Sequence, residues 1–503
     1  MTTGIRILIA LSLLSACCLP CARAGAAQVP ARAGSPPRPF LSPCQVPELE
    51  SGAWCGRYEV FENRDSKRGR KIALNIVVVP ALAERASPDP VFFFAGGPGQ
   101  GATSIAGFLA GGPMAAIRRE RDLVFFDQRG TGESNPLTCN LFADDNDLRA
   151  YFEDIFPVQQ VRACRERLEK VADLKQYTTS VAVEDLDEVR RALGYEKINL
   201  YGGSYGTTVA LAYLRRHGAH VRSAVLAGVA PTGLRLPLHF AKGAQHAIDQ
   251  LMDDCVADDA CRAAFPNLRE EFRAVLDRLE KTPASVEFLN PFTKKQQRVT
   301  LARGPFAERL RMLLYGRGSA SVVPLLIHRA YQGDFKPYVL AALPQARAIQ
   351  QSVSLGMYFS VTCSEGIPFI TETDVKTEAR GTFLGEYRVR AHAAACREWP
   401  RAAVPGGFTG AVESDAPVLL LSGLADPASP PWFAAEAVRH LPNGLQATIP
   451  HEGHGYFSDC ISGITAEFIS KGSARGLNTS CLLGTKRPPF VMNVPDAPSL
   501  GDS

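Results

Sequence analysis

Ile198-Asn199-Leu200-Tyr201-Gly202-Gly203-Ser204-Tyr205-Gly206 runs from an apolar strand signal straight into a serine bracketed by glycines, and a helix pattern follows to about Arg216. Glycines at 202 and 206 let the backbone crowd together at a tight strand-to-helix turn. Such a turn pushes the serine hydroxyl out above the edge of a sheet, where it acts as a nucleophile. The chain holds one G-x-S-x-G, in the strand–turn–helix context it needs.

Outward from that turn the pattern repeats. Val183, Leu186, Val189, Ala192 and Leu193 recur at helical spacing, and Gly194 follows as a C-cap. Val221–Leu226, Pro90–Phe94 and Leu123–Phe126 are short apolar runs of buried-strand type, and Gly56–Asn63 and Ile72–Leu82 read as earlier strands. Strands alternating with helices predict an α/β fold with a mostly parallel central sheet covered on both faces. From Leu234 to about Pro400 the elements read mainly helical, Leu268–Leu279 most strongly. The alternation resumes at Pro417–Leu421, helix Trp432–His440 and strand Gln446–Ile449. The expected organisation is a leader at 1–24, a linker at 25–43, core at 44–230, an inserted helical cap at 231–400, core again at 401–483, and a C-terminal arm at 484–503.

The 503 residues are 46% hydrophobic and 21% charged, which excludes a disordered or collagen-like chain. Lys+Arg 55 against Asp+Glu 51 leaves a formal charge of +4, and no basic block is interleaved with aromatics, so no nucleic-acid partner is expected. Arg6, the apolar run Ile7–Leu14 and Ala22-Arg23-Ala24 before Gly25 make a secretory signal. Leu14-Ser15-Ala16-Cys17 also fits a bacterial lipobox, with a lipid anchor at Cys17. Both readings export the protein, to the periplasm, the medium or the cell envelope. Ten of the thirteen cysteines lie beyond the leader, an even number in an oxidising compartment. Short loops close most readily, so neighbour pairing is expected: Cys44/Cys55, Cys139/Cys164, Cys255/Cys261, Cys363/Cys396 and Cys460/Cys481. No C-x-x-C pair follows the leader, which argues against zinc.

A serine nucleophile needs a base, and the base needs an orienting carboxylate. Asp426 follows the strand near Val418–Leu421, where an acid loop belongs, whereas Asp415 precedes that strand and lies at the wrong edge. His454, within Gly453-His454-Gly455, is preferred over His451 as base. His451-Glu452-Gly453-His454 lacks the spacing of H-E-x-x-H. The oxyanion donors are expected from the Tyr205 N–H and from Gly97, with Gly96 as the alternative, in Ala95-Gly96-Gly97-Pro98-Gly99. Gly96…Gly101-Ala102-Thr103 has a P-loop shape, but Ala102 stands at the lysine position. Asp127 and Arg129 are read as residues that fix loops beside the site.

Jointly, Ala95-Gly96-Gly97-Pro98-Gly99, Asp127-Gln128-Arg129-Gly130-Thr131-Gly132 and Gly202-Gly203-Ser204-Tyr205-Gly206 resemble the proline iminopeptidase/tripeptidyl aminopeptidase family of α/β-hydrolases. Cys255…Cys261-Arg262-Ala263-Ala264-Phe265-Pro266, Val361-Thr362-Cys363-Ser364-Glu365, Asp426-Pro427-Ala428-Ser429-Pro430 and Gly453-His454-Gly455 are similar to its exported, tripeptidyl-aminopeptidase-like members. The likeness covers about Gly56–Cys481. One departure is Ala95, where the family usually has histidine.

The resemblance implies an α/β-hydrolase fold and a serine aminopeptidase acting on peptides without metal or organic cofactor. A carboxylesterase on small esters and a non-catalytic binding protein are the alternatives. A capped site that takes a free amino end needs a carboxylate for the ammonium. Glu365, in an apolar stretch beside Cys363, is the candidate, and a salt bridge to Arg397 is the competing expectation.

Overall fold

The computed structural model describes residues 39–141 and 146–493. The leader at 1–24, the anchor at Cys17, most of the linker and residues 494–503 of the arm lie outside the described residues.

Among the described residues eleven strands form two sheets: β1 Leu41–Val46, β2 Leu49–Phe61, β3 Lys71–Val79, β4 Val91–Phe94, β5 Leu123–Phe126, β6 Ile198–Gly203, β7 Val221–Ala227, β8 Ala284–Leu289, β9 Gln296–Leu301, β10 Val418–Gly423 and β11 Gly444–Ile449. The main sheet has nine strands in the order β1-β2-β3-β5-β4-β6-β7-β10-β11. Pairing is antiparallel from β1 through β3 to β5 and parallel from there to β11. The parallel strands read as unbroken apolar runs because both faces are covered. Phe92, Phe94, Leu200, Leu226 and Leu420 pack on one face. Val91, Phe93, Tyr201, Val225 and Leu421 pack on the other. Helices Thr179–Ala192 and Tyr205–His217 flank the serine strand.

The sequence from 231 to 400 forms helices with their own buried cluster, including Leu251, Phe272, Leu310, Ile327 and Leu343. It also contains the antiparallel hairpin β8–β9, where a helical block was expected. Its side chains alternate between exposed and buried, a polar two-residue period that gives no apolar run. Later in this segment, helices Leu355–Glu365 and Tyr387–Arg397 pack into the core cluster through Phe359, Val361 and Ala395.

Two boundaries differ from expectation. The linker expected to Pro43 already contains the start of β1, because Leu41–Val46 pairs with β2 and Phe40 packs on Tyr58 at 5.4 Å. The expected C-terminal arm is docked as far as it is described. Phe490 is buried against the cap cluster, the Val491 N–H donates to Ser321 O, and Arg487 Nε lies 2.7 Å from Asp254. The structure joins Cys44–Cys55, Cys139–Cys164, Cys255–Cys261, Cys363–Cys396 and Cys460–Cys481.

Candidate active site

Ser204 sits between the end of β6 and the helix Tyr205–His217 at φ 55°, ψ −125°, a left-handed conformation costly for a residue with a Cβ. The turn closes only because its neighbours lack side chains. A Cβ on Gly202 would lie 2.4 Å from Gly206 O, and one on Gly206 would lie 2.2 Å from Phe94 O. The Ser204 N–H donates to Ala227 O at 2.8 Å, which ties the turn to the end of β7. The Gly228 N–H in turn donates to Leu421 O at 3.0 Å, so the next link reaches β10. Asp426 and His454 follow the carboxyl ends of β10 and β11, and all these groups therefore gather at one sheet edge.

Asp426 and His454 meet directly, with His454 Nδ1 2.7 Å from Asp426 Oδ2. Nε2 is the ring nitrogen that Asp426 does not engage. Ser204 Oγ has no hydrogen bond to His454 among the described residues. Such a contact commonly tightens only when substrate arrives. A Cβ on Gly228, which follows the strand beside Ser204, would lie 3.1 Å from His454 Cε1. His451, the competing base, points elsewhere: its Nδ1 lies 3.0 Å from Asp254 Oδ2, and its side chain is 38% exposed.

Two further residues belong to the site. Ser429 Oγ donates to Asp426 Oδ2 at 2.8 Å, and Tyr456 OH donates to the same oxygen at 2.6 Å. The Ala428 and Ser429 N–H groups hold Oδ1 at 2.7 and 2.8 Å. Burial alone would raise the Asp426 pKa. The His454 charge and these donors more than offset it, and the carboxyl is held below its usual range. Asp426-x-x-Ser429 is a local turn pattern visible in sequence. Tyr456, two residues past His454, carries no comparable signal.

Gly97 lies in the loop after β4, close to the serine turn: a Cβ on neighbouring Gly96 would lie 3.0 Å from Ser204 Cβ. Tyr205 opens its helix, so its N–H has no intrahelical acceptor. These are the two expected oxyanion donors. Residues Ser352–Ser354 cover that loop, with the Ser354 N–H on Gly99 O at 2.9 Å and Gln100 Nε2 on Ser352 Oγ at 3.3 Å. Asp127 accepts from the Thr103 N–H at 2.9 Å and its hydroxyl at 2.8 Å. Arg129 is fully buried in a two-pronged pair with Asp185 at 2.6 and 2.8 Å. Both fix loops.

Glu365 departs from expectation. It is 7% exposed, and no ion pair to Arg397 or any other cation forms among the described residues. Oε1 accepts from the Thr179 N–H at 2.7 Å and Oε2 from Thr179 Oγ1 at 2.6 Å. Thr179 Oγ1 also shares a 2.6 Å hydrogen bond with Tyr205 OH. Burial raises the carboxyl to about 7 against the opposing Thr179 bonds. Each oxygen accepts one hydrogen bond from the first turn of the helix Thr179–Ala192, and no cation pairs with the group among the described residues.

The sheet order and the serine turn at its carboxyl edge define an α/β hydrolase. Residues 89–459 match the α/β hydrolase fold family over more than half of the chain, and the chain belongs to that family. The serine protease Hip1 of Mycobacterium tuberculosis is 30% identical over 229 residues, 42% of this chain and 44% of that protein. The proline iminopeptidase of Neisseria gonorrhoeae is 33% identical over 149 residues, 29% of this chain and 35% of that one. The chain thus spans less than half the length of these curated relatives. The crystal structure of a Mycobacterium smegmatis proline iminopeptidase superposes with a TM-score of 0.40 and 15% identity, covering 83% of this chain and 98% of that one.

Proposed function

We propose that this chain is an exported serine hydrolase that releases short pieces from the amino end of peptides through an acyl-enzyme. Ser204 attacks the carbonyl, and His454 takes its proton and returns it to the leaving group. Asp426 orients the imidazole, and the Gly97 and Tyr205 N–H groups hold the oxyanion. The observation that carries this reading is the 2.7 Å Asp426–His454 hydrogen bond on the sheet edge that holds Ser204 in its strained turn. The peptidase names of the relatives support peptide as substrate. Five disulfides support an oxidising compartment.

A second reading, a carboxylesterase, is favoured by one observation: Glu365, the expected partner of a substrate ammonium, is buried and hydrogen-bonded to Thr179 through both oxygens. Arylamides and esters, each with a free or blocked amine, separate the two. Turnover of free-amine peptide arylamides well above their N-blocked counterparts is the expected result. Hydrolysis of esters alone, indifferent to the amine, would replace the peptidase with the esterase.

A further inference from the structure

Two cap helices, Arg303–Leu313 and Tyr387–Arg397, bring cations together around one carboxylate. Glu308 Oε1 accepts from Arg311 at 2.7 Å and from Arg388 at 3.0 Å, and Oε2 accepts from Arg311 Nε at 3.1 Å. The Glu308 and Arg311 side chains are 1% and 2% exposed, and that of Arg388 is 12% exposed. Burial opposes ionisation of Glu308, but the two guanidiniums overcome it and hold the carboxyl down at about 2. One negative charge therefore faces two positive ones. Arg309 adds a third cation, which bonds the Tyr151 carbonyl and forms no ion pair among the described residues.

The other titratable groups nearby do not restore the balance. His392 is held neutral, first by burial and then by the Arg388 charge. Tyr387 is pushed up to about 12, mainly by burial, and Tyr315 is also raised. Asp154 acts on Tyr387 from an exposed position. Arg388 Nε is buried with no hydrogen-bond partner among the described residues. Around the guanidiniums stand aromatic rings: Phe240 is 4.3 Å from Arg311, and Phe156 is 4.9 Å from Arg388. A surplus of cation in apolar surroundings is costly unless an anion completes it.

The cluster reaches both halves of the catalytic edge. Arg311 donates to Tyr315 OH at 2.6 Å. The Tyr315 carbonyl accepts the His454 N–H at 2.6 Å, and its ring lies 5.0 Å from the imidazole. Arg388 donates to Tyr358 OH at 2.7 Å. Tyr358 belongs to the helix that begins directly after Ser352–Ser354, the residues bonded to the oxyanion loop.

We infer that Arg388, left in excess over the Glu308–Arg311 pair between the base loop and the oxyanion loop, recognises a carboxylate of the substrate. The inference rests on the proposed serine hydrolase and adds the charge of what it cleaves. An acidic group on the substrate supplies the missing anion, and the planar guanidinium of Arg388 binds it with charge-assisted hydrogen bonds.

The test uses two matched pairs of substrates with the full-length oxidised protein. In one pair the carboxylate is in the acyl part: mono-p-nitrophenyl glutarate beside its carboxamide. In the other it is in the leaving part: tetra-alanine beside its C-terminal amide. In at least one pair the carboxylate member should show kcat/KM about 10- to 100-fold higher. In Arg388→Gln that ratio should fall at least about fivefold, and because it is a ratio, a general loss of activity cancels. Arg388→Lys, which keeps the charge and loses the fork, should give an intermediate ratio and serves if the glutamine variant does not fold. Equal rates within both pairs, or a ratio unchanged in these variants, overturns the inference. Labelling of Ser204 by a fluorophosphonate keeps the two levels apart: a labelled enzyme without the preference refutes the carboxylate site alone, and an unlabelled one refutes the hydrolase as well.

Discussion

Replacing Glu365 with glutamine removes a carboxyl that the protein buries against the first residue of a helix. Its ordinary pKa of 4.5 rises to about 7 in the fold because burial outweighs the two Thr179 bonds. The folded value lies above the unfolded one, so the stabilising form is the protonated one. That contribution is complete below about 4.5 and is lost as pH rises to 7 and beyond. The gap corresponds to about 3 kcal/mol at alkaline pH. Glutamine keeps the geometry: its oxygen accepts the Thr179 N–H, its amide donates to Thr179 Oγ1, and it never ionises. Urea unfolding with disulfides intact, at pH 5 and pH 8, should show the stability of Glu365→Gln relative to wild type growing by about 2–3 kcal/mol between the two. A difference that stays constant within about 0.5 kcal/mol would refute the reasoning about this buried acid. The variant should also treat free-amine and blocked substrates alike relative to wild type, because the native carboxyl already serves Thr179. A selective loss on free amines would restore the ammonium role.

Other outcomes follow from the same geometry. His454→Ala should lose about three decades or more of turnover, while His451→Ala, whose ring is committed to Asp254, should keep most of it; kcat on a common ester measures both, and the reverse order would reassign the base. Tyr456→Phe removes one donor from Asp426, which makes the carboxylate a stronger partner for the imidazolium. The acid limb of the kcat/KM profile should therefore move to higher pH with less than about a tenfold loss of rate, and an unmoved limb would deny that coupling. Exchanging Cys363 and Cys396 together for alanine opens a bridge with a sequence separation of 33 and should cost about 3–4 kcal/mol in urea unfolding. A loss under about 1 kcal/mol would mean that the bridge constrains little.

The sheet was legible because its central strands are short apolar runs with glycine at or shortly after their ends, and their order along the chain sets the parallel crossovers. The placement of Ser204, Asp426 and His454 along one sheet edge was legible for a related reason: each stands just past a strand that could be read. The hairpin β8–β9 was not, because its polar alternation resembles solvated surface. The start of β1 was hidden in a Pro-rich segment whose pairing partner, β2, settles its structure. Non-local contacts were hardest. Glu365 and Thr179 lie 186 residues apart, and an apolar setting with a free carboxylate looks the same in sequence as one with a carboxylate already bonded. The Arg311–Glu308–Arg388 cluster joins two helices 80 residues apart, and its charge excess appears only when the helices are packed.

The account stands most directly on Ser204 as the attacking group. Oxidised protein treated with a fluorophosphonate, digested and mapped by peptide mass, should carry one adduct per chain, on Ser204. Labelling should slow by about a thousandfold or more in His454→Ala. An adduct on another residue, or undiminished labelling of Ser204→Ala, would contradict the central claim.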